Sequence, residues 1–583
     1  MKIYNVMQYG AKGDGKTNDA FSIQHAVDDC AKSGGGRVVL PSGYVFYSDS
    51  IRLKKNVDLH IQKGATIKAT SNIDGYIRPN KLINDPKTAL IGNPVTGKPS
   101  FVFIYAYEAD GCSISGEGTI DANGHAFVAR KDQYYVTGDF YPRPTVMYVE
   151  KSNHISFRDF TVVDAPFWTL HPAGCNDVLI DKIRILNDLD VANSDGIDPD
   201  HCSNVRILGC HVTCADDCIC LKASKGNSEY GPCENIIIDG CTLVSTSAAI
   251  KIGTEGVGDF KNVIVSNCII SRSNRGLSIQ IRDGGCVENV SYSNIIIETR
   301  RFCPDWWGTA EPIVITTFNR DENTKSGTIK NIRFFNVTAK GENGVLIHGN
   351  EDNIIEDVTF ENCSIELTKT SKWQCGLYDL RPCLDYGVES YDNSAFFIRY
   401  AKDVNIRKTK TRWGTSKHDF ACPADYITDS WNHSHALCPD TPFHLICRRT
   451  DYPLDKPDPR HQGKQTFQTP SDYKSQKFRC LRKKFLLRQI VQDFHQKCDL
   501  DQRNDPFQNH KFHKKDQEKR QIIKCDRRNT SHCDCHTDKV DRTEYSHKED
   551  QIFESMLYLY GCCLKIPYAD CNHRQVYQKK GGL

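Results

Sequence analysis

No apolar run in the 583-residue chain reaches the roughly 18 residues of a membrane-spanning helix, so a helical membrane protein is excluded. The amino terminus, MKIYNVMQYGAKGDG, holds no apolar segment followed by a small-residue cleavage site. A cytoplasmic location is therefore expected, or an extracellular one if a segment precedes this start. Charge of one sign is missing too: 75 Lys and Arg face 73 Asp and Glu, a net charge of +2. No basic stripe runs through roughly the first 400 residues, so neither a nucleic-acid partner nor a membrane surface is expected. The 27 cysteines are odd in number and sit in strand-like contexts such as Cys210, Cys241, Cys268 and Cys363. They do not form the framework of a small disulfide-stapled domain. Reduced thiols filling an apolar core suit them better.

What is present is a repeat. The pattern is two polar residues, a β-branched residue, any residue, an apolar one, two more positions, then Cys or an apolar residue. It recurs as NHISFRDF (153–160), NDVLIDKI (176–183), SNVRILGC (203–210), ENIIIDGC (234–241), KNVIVSNC (261–268), ENVSYSNI (288–295), KNIRFFNV (330–337), EDVTFENC (356–363) and KDVNIRKT (402–409). The anchors are Ile155, Val178, Val205, Ile236, Val263, Val290, Ile332, Val358 and Val404, spaced 23, 27, 31, 27, 27, 42, 26 and 46 residues apart. Fainter members lie near Val57 and Cys112. Each unit is a short alternating strand bounded by turn formers. One unit alone cannot bury its apolar face, whereas stacked units share a continuous core. The expectation is an all-β parallel solenoid of about three short strands per coil, with the two long spacings as insertions on one side. A leucine-rich repeat is disfavoured, because neither a recurring leucine pattern nor a helix in each repeat occurs. A cap helix is expected over 19–33, with Asp19 as N-cap, Ala20, Ile23, Ala26, Val27, Cys30 and Ala31 on one face, and the glycines 34–36 ending it.

GAKGDGKT (10–17) matches the phosphate-loop expression and lies between strand-like and helical segments. The chain then continues as strand after strand rather than as alternating strands and helices. A glycine turn leading into the cap helix is the preferred reading.

NSDGIDPD places Asp195 in a glycine-containing turn, and CADDCICLK places Asp216 and Asp217 side by side 21 residues later, close to one coil. Residues one coil apart stack, so three carboxylates are expected at one patch. Their repulsion raises at least one pKa, and a protonated carboxyl beside ionised ones is what glycoside hydrolysis requires. Turn aspartates bonding backbone amides, or a calcium site, are the alternatives on spacing alone.

Over about Tyr4 to Gly414 the sequence resembles the polygalacturonase-type glycoside hydrolases, family 28. The resemblance is carried by YGAKGDGKTND (9–19), ISGEGTIDANG (114–124), RPTVMYVEKSNHISFRDF (143–160), PFWTLHPAGCNDVLI (166–180), NSDGID (193–198) and ADD (215–217). It implies a single-stranded, right-handed, pectin lyase-like parallel β-helix. It also implies Asp216 as general acid, Asp195 and Asp217 as activators of the attacking water, inversion at the anomeric carbon, a pectic substrate, and no metal or organic cofactor. Two positions depart from the family. Its Gly-His-Gly motif falls on SAAIKIGTEG (247–256), with Ala248 at the histidine, and its Arg-Ile-Lys motif falls on Ser278, Ile279 and Gln280. Lys251 and Arg282 stand near in sequence, each as a displaced clamp for a substrate carboxylate or as a solvated strand residue. Ordinary polygalacturonate is thereby disfavoured, and a pectic oligosaccharide bearing rhamnose or a modified uronate is expected. Trp168 with His171, and Trp306 with Trp307, are candidate sugar platforms, packing being the alternative for each tryptophan.

The solenoid domain is expected over 1–413. Over 414–583 the character changes: the last 169 residues hold 12 of 20 histidines and 11 of 27 cysteines but 4 of 40 glycines. The repeat stops there. One basic helix over 477–494 and a weak metal-type cluster, HCDCH (532–536), are the only patterns in a tail otherwise read as disordered or as out-of-frame coding. An exo-acting inverting hydrolase on pectic oligosaccharides is the leading function. A β-helix polysaccharide lyase using Lys222 or Lys251 as base, and a non-catalytic carbohydrate-binding solenoid, are the alternatives.

Overall fold

The computed structural model describes residues 1–79, 97–127, 143–391 and 393–414, with the backbone of short strands at 130–131, 136–137, 431–432 and 443–445. The tail features at 477–494 and 532–536 lie outside the described residues. The long described ranges all fall in the first of two units, Met1–Asp455. Among the described residues no helix is long and apolar enough to cross a membrane.

The nine anchors pair in unbroken parallel succession: Ile155 with Val178, then Val205, Ile236, Val263, Val290, Ile332, Val358 and Val404. All are buried. The faint upstream members continue the same ladder, since Leu59 pairs with Ile114 and Ile114 with Phe157. Val290 meets Ile332 directly, so the 42-residue spacing is a loop insertion and not an extra coil. The 46-residue spacing contains an antiparallel hairpin, Leu377–Asp379 with Val388–Ser390.

The repeat's second polar residue has a local cause. Asn204, Asn235, Asn262, Asn289 and Asn331 all have φ between 56° and 61°, a left-handed conformation that asparagine tolerates better than most residues. Their amides stack coil to coil: Asn262 donates to Asn235 at 2.9 Å, Asn289 to Asn262 at 3.1 Å and Asn331 to Asn289 at 2.6 Å. Each coil therefore turns at the same place, and the next strand enters in register. A second column of short strands follows (Thr161–Val163, Arg184–Leu186, His211–Cys214, Thr242–Ser245). A third column holds Thr145–Glu150, Leu170–Ala173, Ile219–Ala223, Ala248–Gly256, Arg275–Ile281, Ile313–Thr317, Val345–His348 and Phe396–Arg399. Inside, Tyr292, Phe334 and Phe360 stack at 4.9 and 4.5 Å. All 16 cysteines of the described residues are free, and all but Cys286 and Cys383 are buried.

The cap helix spans Ala20–Lys32 and buries Ile23, Ala26, Val27 and Cys30. Asp19 does not cap it with its side chain. The carboxylate turns back to accept the Lys12 and Gly13 amides at 2.7 and 2.9 Å, while Asp14 accepts those of Lys16 and Thr17. The amides of the glycine turn that resembles a phosphate loop thus already face carboxylates.

Candidate active site

The turns that join the second strand column to the third carry the carboxylates. Ile197 bridges Ile219, which sets a coil offset of 22 residues and puts Asp195 level with Asp217 rather than Asp216. The Gly196 amide donates to the Asp217 carbonyl at 2.9 Å, and the Ala215 amide to Ser194 Oγ at 3.2 Å. A Cβ on Gly196 would stand 2.4 Å from the Cys218 carbonyl oxygen. Glycine is what allows these two turns to approach. One oxygen from each of Asp195, Asp216 and Asp217 lies within 4.8 Å of the others, all three residues buried.

Their surroundings differ. Asp217 accepts Lys251 Nζ at 2.8 Å, Ser247 Oγ at 3.1 Å and the Ala248 amide at 3.3 Å. Asp216 is pushed up to about 7, by burial first and by the Asp217 charge second. Asp195 is raised well above the usual carboxylate range by burial and by Asp216 and Asp198, and its Oδ1 has no hydrogen-bond partner. Lys222 is the hub: its ammonium lies 3.7 Å from both Asp195 and Asp198 and 3.2 Å from Glu255. Burial works against that ammonium, but Glu255, Asp198 and Asp195 are among the groups that outweigh it, and its pKa is raised. Burial likewise opposes the Glu255 charge, yet Lys222 and Arg320 bring its pKa down to about 2. Two buried ammonium groups already serve the acidic cluster, so we assign it no ion.

Trp168 borders the site, with the Lys222 ammonium 4.2 Å from its ring centroid and Phe167 stacked on it at 5.7 Å. Both contacts engage the ring as packing. His171 is fully buried, its Nε2 3.2 Å from Asp200. Asp200 also accepts the Ser224 amide at 2.9 Å and Asn227 Nδ2 at 2.7 Å. That network supports the third-column turn from behind. Trp306 reaches the centre from the long insertion, its Nε1 donating to the Ala215 carbonyl at 3.1 Å. Arg282 is not brought to the carboxylates. All five of its N–H groups are spent on Pro382, Ile281, Leu380 and Thr316, four of these bonds to backbone carbonyls, where they hold the 380–382 segment.

Sequence reasoning passed over Asp198 and Glu255. Asp198 is fully buried and neither carboxylate oxygen has a hydrogen-bond partner. It sits in the quoted NSDGIDPD, three residues from Asp195, while for Glu255 outward alternation with Lys251 on the strand Ala248–Gly256 was the available signal.

Parallel coils whose turns gather three aspartates and two lysines define a class, β-helix proteins with a carboxylate centre. The model of Glycosyl hydrolases family 28 matches residues 30–382, and the chain belongs to that family. A probable polygalacturonase of Vitis vinifera is 28% identical over 263 residues, 43% of this chain and 51% of that protein. The chain thus spans about half the length of this relative. An endo-polygalacturonase of Pectobacterium carotovorum subsp. carotovorum is 26% identical over 372 residues, 62% of this chain and 87% of that protein. The crystal structure of a hyperthermoactive exopolygalacturonase from Thermotoga maritima aligns with a TM-score of 0.57 at 20% identity, over 74% of this chain and 95% of that one. The shared fold is the right-handed parallel β-helix.

Proposed function

We propose that the chain hydrolyses a glycosidic bond in a pectic oligosaccharide, by direct attack of water and with inversion. The observation that carries this reading is the division among three clustered aspartates: Asp216, held near neutrality by burial, beside Asp217, held by an ammonium and two other donors. Asp216 gives its proton to the leaving glycosidic oxygen as the C1–O bond breaks. Water forms the new bond to C1 and yields its proton to Asp217. Two carboxyls that flank a water in inverting enzymes are ordinarily about 6.5–9.5 Å apart. Here three oxygens gather within 4.8 Å, so product stereochemistry is the decisive measurement.

Burial of all three carboxylates, with Trp306 bonded beside them, supports attack at a chain end rather than along a polymer. Lys222 and Lys251 are engaged by carboxylates and Arg282 by carbonyls. That supports a neutral sugar, or a modified uronate, next to the scissile bond. The lyase alternative requires a neutral amine as base, and carboxylates keep both lysines charged. The test is purified protein on a panel of pectic oligosaccharides with the nascent anomer followed by proton NMR. Inverted product released one unit at a time is expected. Net retention overturns the mechanism, and a chelator-sensitive product absorbing through a new C=C bond overturns hydrolysis.

A further inference from the structure

Asp216 and Asp217 are chemically identical neighbours on one buried turn, yet hydrolysis needs one protonated and the other charged. We propose that Lys251 is the positioning residue that makes this choice: it fixes Asp217 as the charged carboxylate and thereby leaves the proton, and the acid role, to Asp216. The proposal rests on the hydrolase reading above.

The geometry comes from the neighbouring coil. Lys251 lies in the strand Ala248–Gly256, opposite Cys220, three residues beyond Asp217. Between Ile250 and Ile252, both buried in the core, it points to the outer face. From there its stem reaches back to place Nζ 2.8 Å from Asp217 Oδ2. Oδ1 of the same carboxylate accepts Ser247 Oγ and the Ala248 amide, so all three donors arrive from one coil onto one aspartate. Donors of this kind favour the charged form of the group they contact. Asp216 makes no ion pair among the described residues, and burial and the Asp217 charge outweigh the more distant Lys251 and Lys222 charges and Ser247 acting on it. The other titratable groups facing the pair are Asp195 on the preceding coil and Asp198, both raised by burial, with Lys222, Glu255 and the Cys220 thiol. Lys222 is shared among three acids, so Lys251 is the ammonium committed to the catalytic pair.

This role differs from a substrate clamp in what it moves. Without Lys251 no ammonium distinguishes the two aspartates, and the productive arrangement is populated less. Removing a positive charge also raises both carboxyls. Lys251→Met is therefore expected to lower kcat about tenfold or more, leave KM within about twofold, and shift both limbs of the kcat–pH profile to higher pH. Lys251→Arg is expected to restore the position of the limbs. Oligosaccharides with and without uronates are assayed alongside. A rise in KM confined to the uronate-bearing ones, with kcat and profile unchanged, overturns the proposal in favour of a clamp. If Lys251→Met does not fold by circular dichroism, Ser247→Ala is read instead. It removes a second donor from Asp217 and one that also acts on Asp216, and a smaller shift of both limbs to higher pH is expected; an unmoved profile overturns the proposal. Asp216→Asn separates the two layers. Inactive Asp216→Asn beside an unshifted Lys251→Met profile overturns the positioning role alone, whereas wild-type turnover in Asp216→Asn overturns the hydrolase reading beneath it.

Discussion

In the proposed mechanism Asp216 gives up a proton from a position adjacent in sequence to the Asp217 carboxylate, and its surroundings also leave a mark on stability. Its carboxyl is pushed up to about 7 by burial and then by Asp217. As the acid it must be protonated, so kcat is expected to fall tenfold per pH unit once pH passes well above about 7. Asp216→Asn is expected to cost about 10³-fold in kcat, and to remove that limb from whatever activity remains. The folding linkage has the same sign. A carboxyl with a raised folded pKa binds more protons folded than unfolded between about pH 4 and 7, so stability declines as pH rises through that window and levels off above it. The contribution is on the order of a few kcal/mol. Asp216→Asn is therefore expected to raise Tm relative to the parent at pH 8 and to leave it little changed at pH 4, as read by calorimetry. An equal shift at both pH values would contradict the burial of a titrating group.

At the scale of elements, the insertion that carries Trp306 is held by three hydrogen bonds from two segments. Arg381 Nη2 donates to the Trp306 carbonyl at 3.0 Å, Asn274 Nδ2 to the Gly308 carbonyl at 3.2 Å and the Gly308 amide to Asp379 at 2.8 Å. Trp306 bonds Ala215, the residue that precedes the Asp216–Asp217 pair. Trp306→Phe removes that one hydrogen bond and keeps most of the packing. A loss of about 1 kcal/mol in stability at most, with kcat down roughly three- to tenfold, is expected from chemical denaturation and initial rates. Unchanged kcat would make the insertion a cover with no part in the turn. The coils were legible in sequence because each carries its own instruction: a left-handed asparagine, aspartate or histidine at a fixed corner, then an inward β-branched residue. The nine anchors therefore found their register from spacing alone. The site was legible only in part. Asp195 aligns with Asp217, not with Asp216, because turns vary in length and a one-residue difference escapes a spacing argument. Arg282 looked available from strand alternation, but backbone carbonyls 98 and 100 residues away in sequence occupy its guanidinium. Nothing local signals a partner that distant. Lys222 and Glu255 likewise form their pair only when coils 33 residues apart are stacked.

For the molecule as a whole, the solenoid's one-dimensional logic decides what the tail can affect. Apart from the insertions, which bond across coils as Arg381 does to Trp306, each coil touches chiefly its neighbours, so a disturbance at one end fades along the stack. The carboxylate turns and their supporting strands end at Arg275–Ile281. Three further third-column strands, Ile313–Thr317, Val345–His348 and Phe396–Arg399, separate them from the last described coil, whose strand Lys410–Trp413 pairs with Ser364–Leu367. A chain ending at Trp413 is thus expected to keep the kcat and product anomer of the full chain, to within about twofold, provided it is assayed below its own unfolding temperature. Its Tm is the quantity expected to move, because an open terminal coil exposes strand edges and core that a cap would cover. Side-by-side kinetics and thermal unfolding of the two lengths check this. Lost turnover in a truncated protein whose β-structure is intact would show that residues beyond 413 reach the site, and would remove the domain boundary from where the repeat stops.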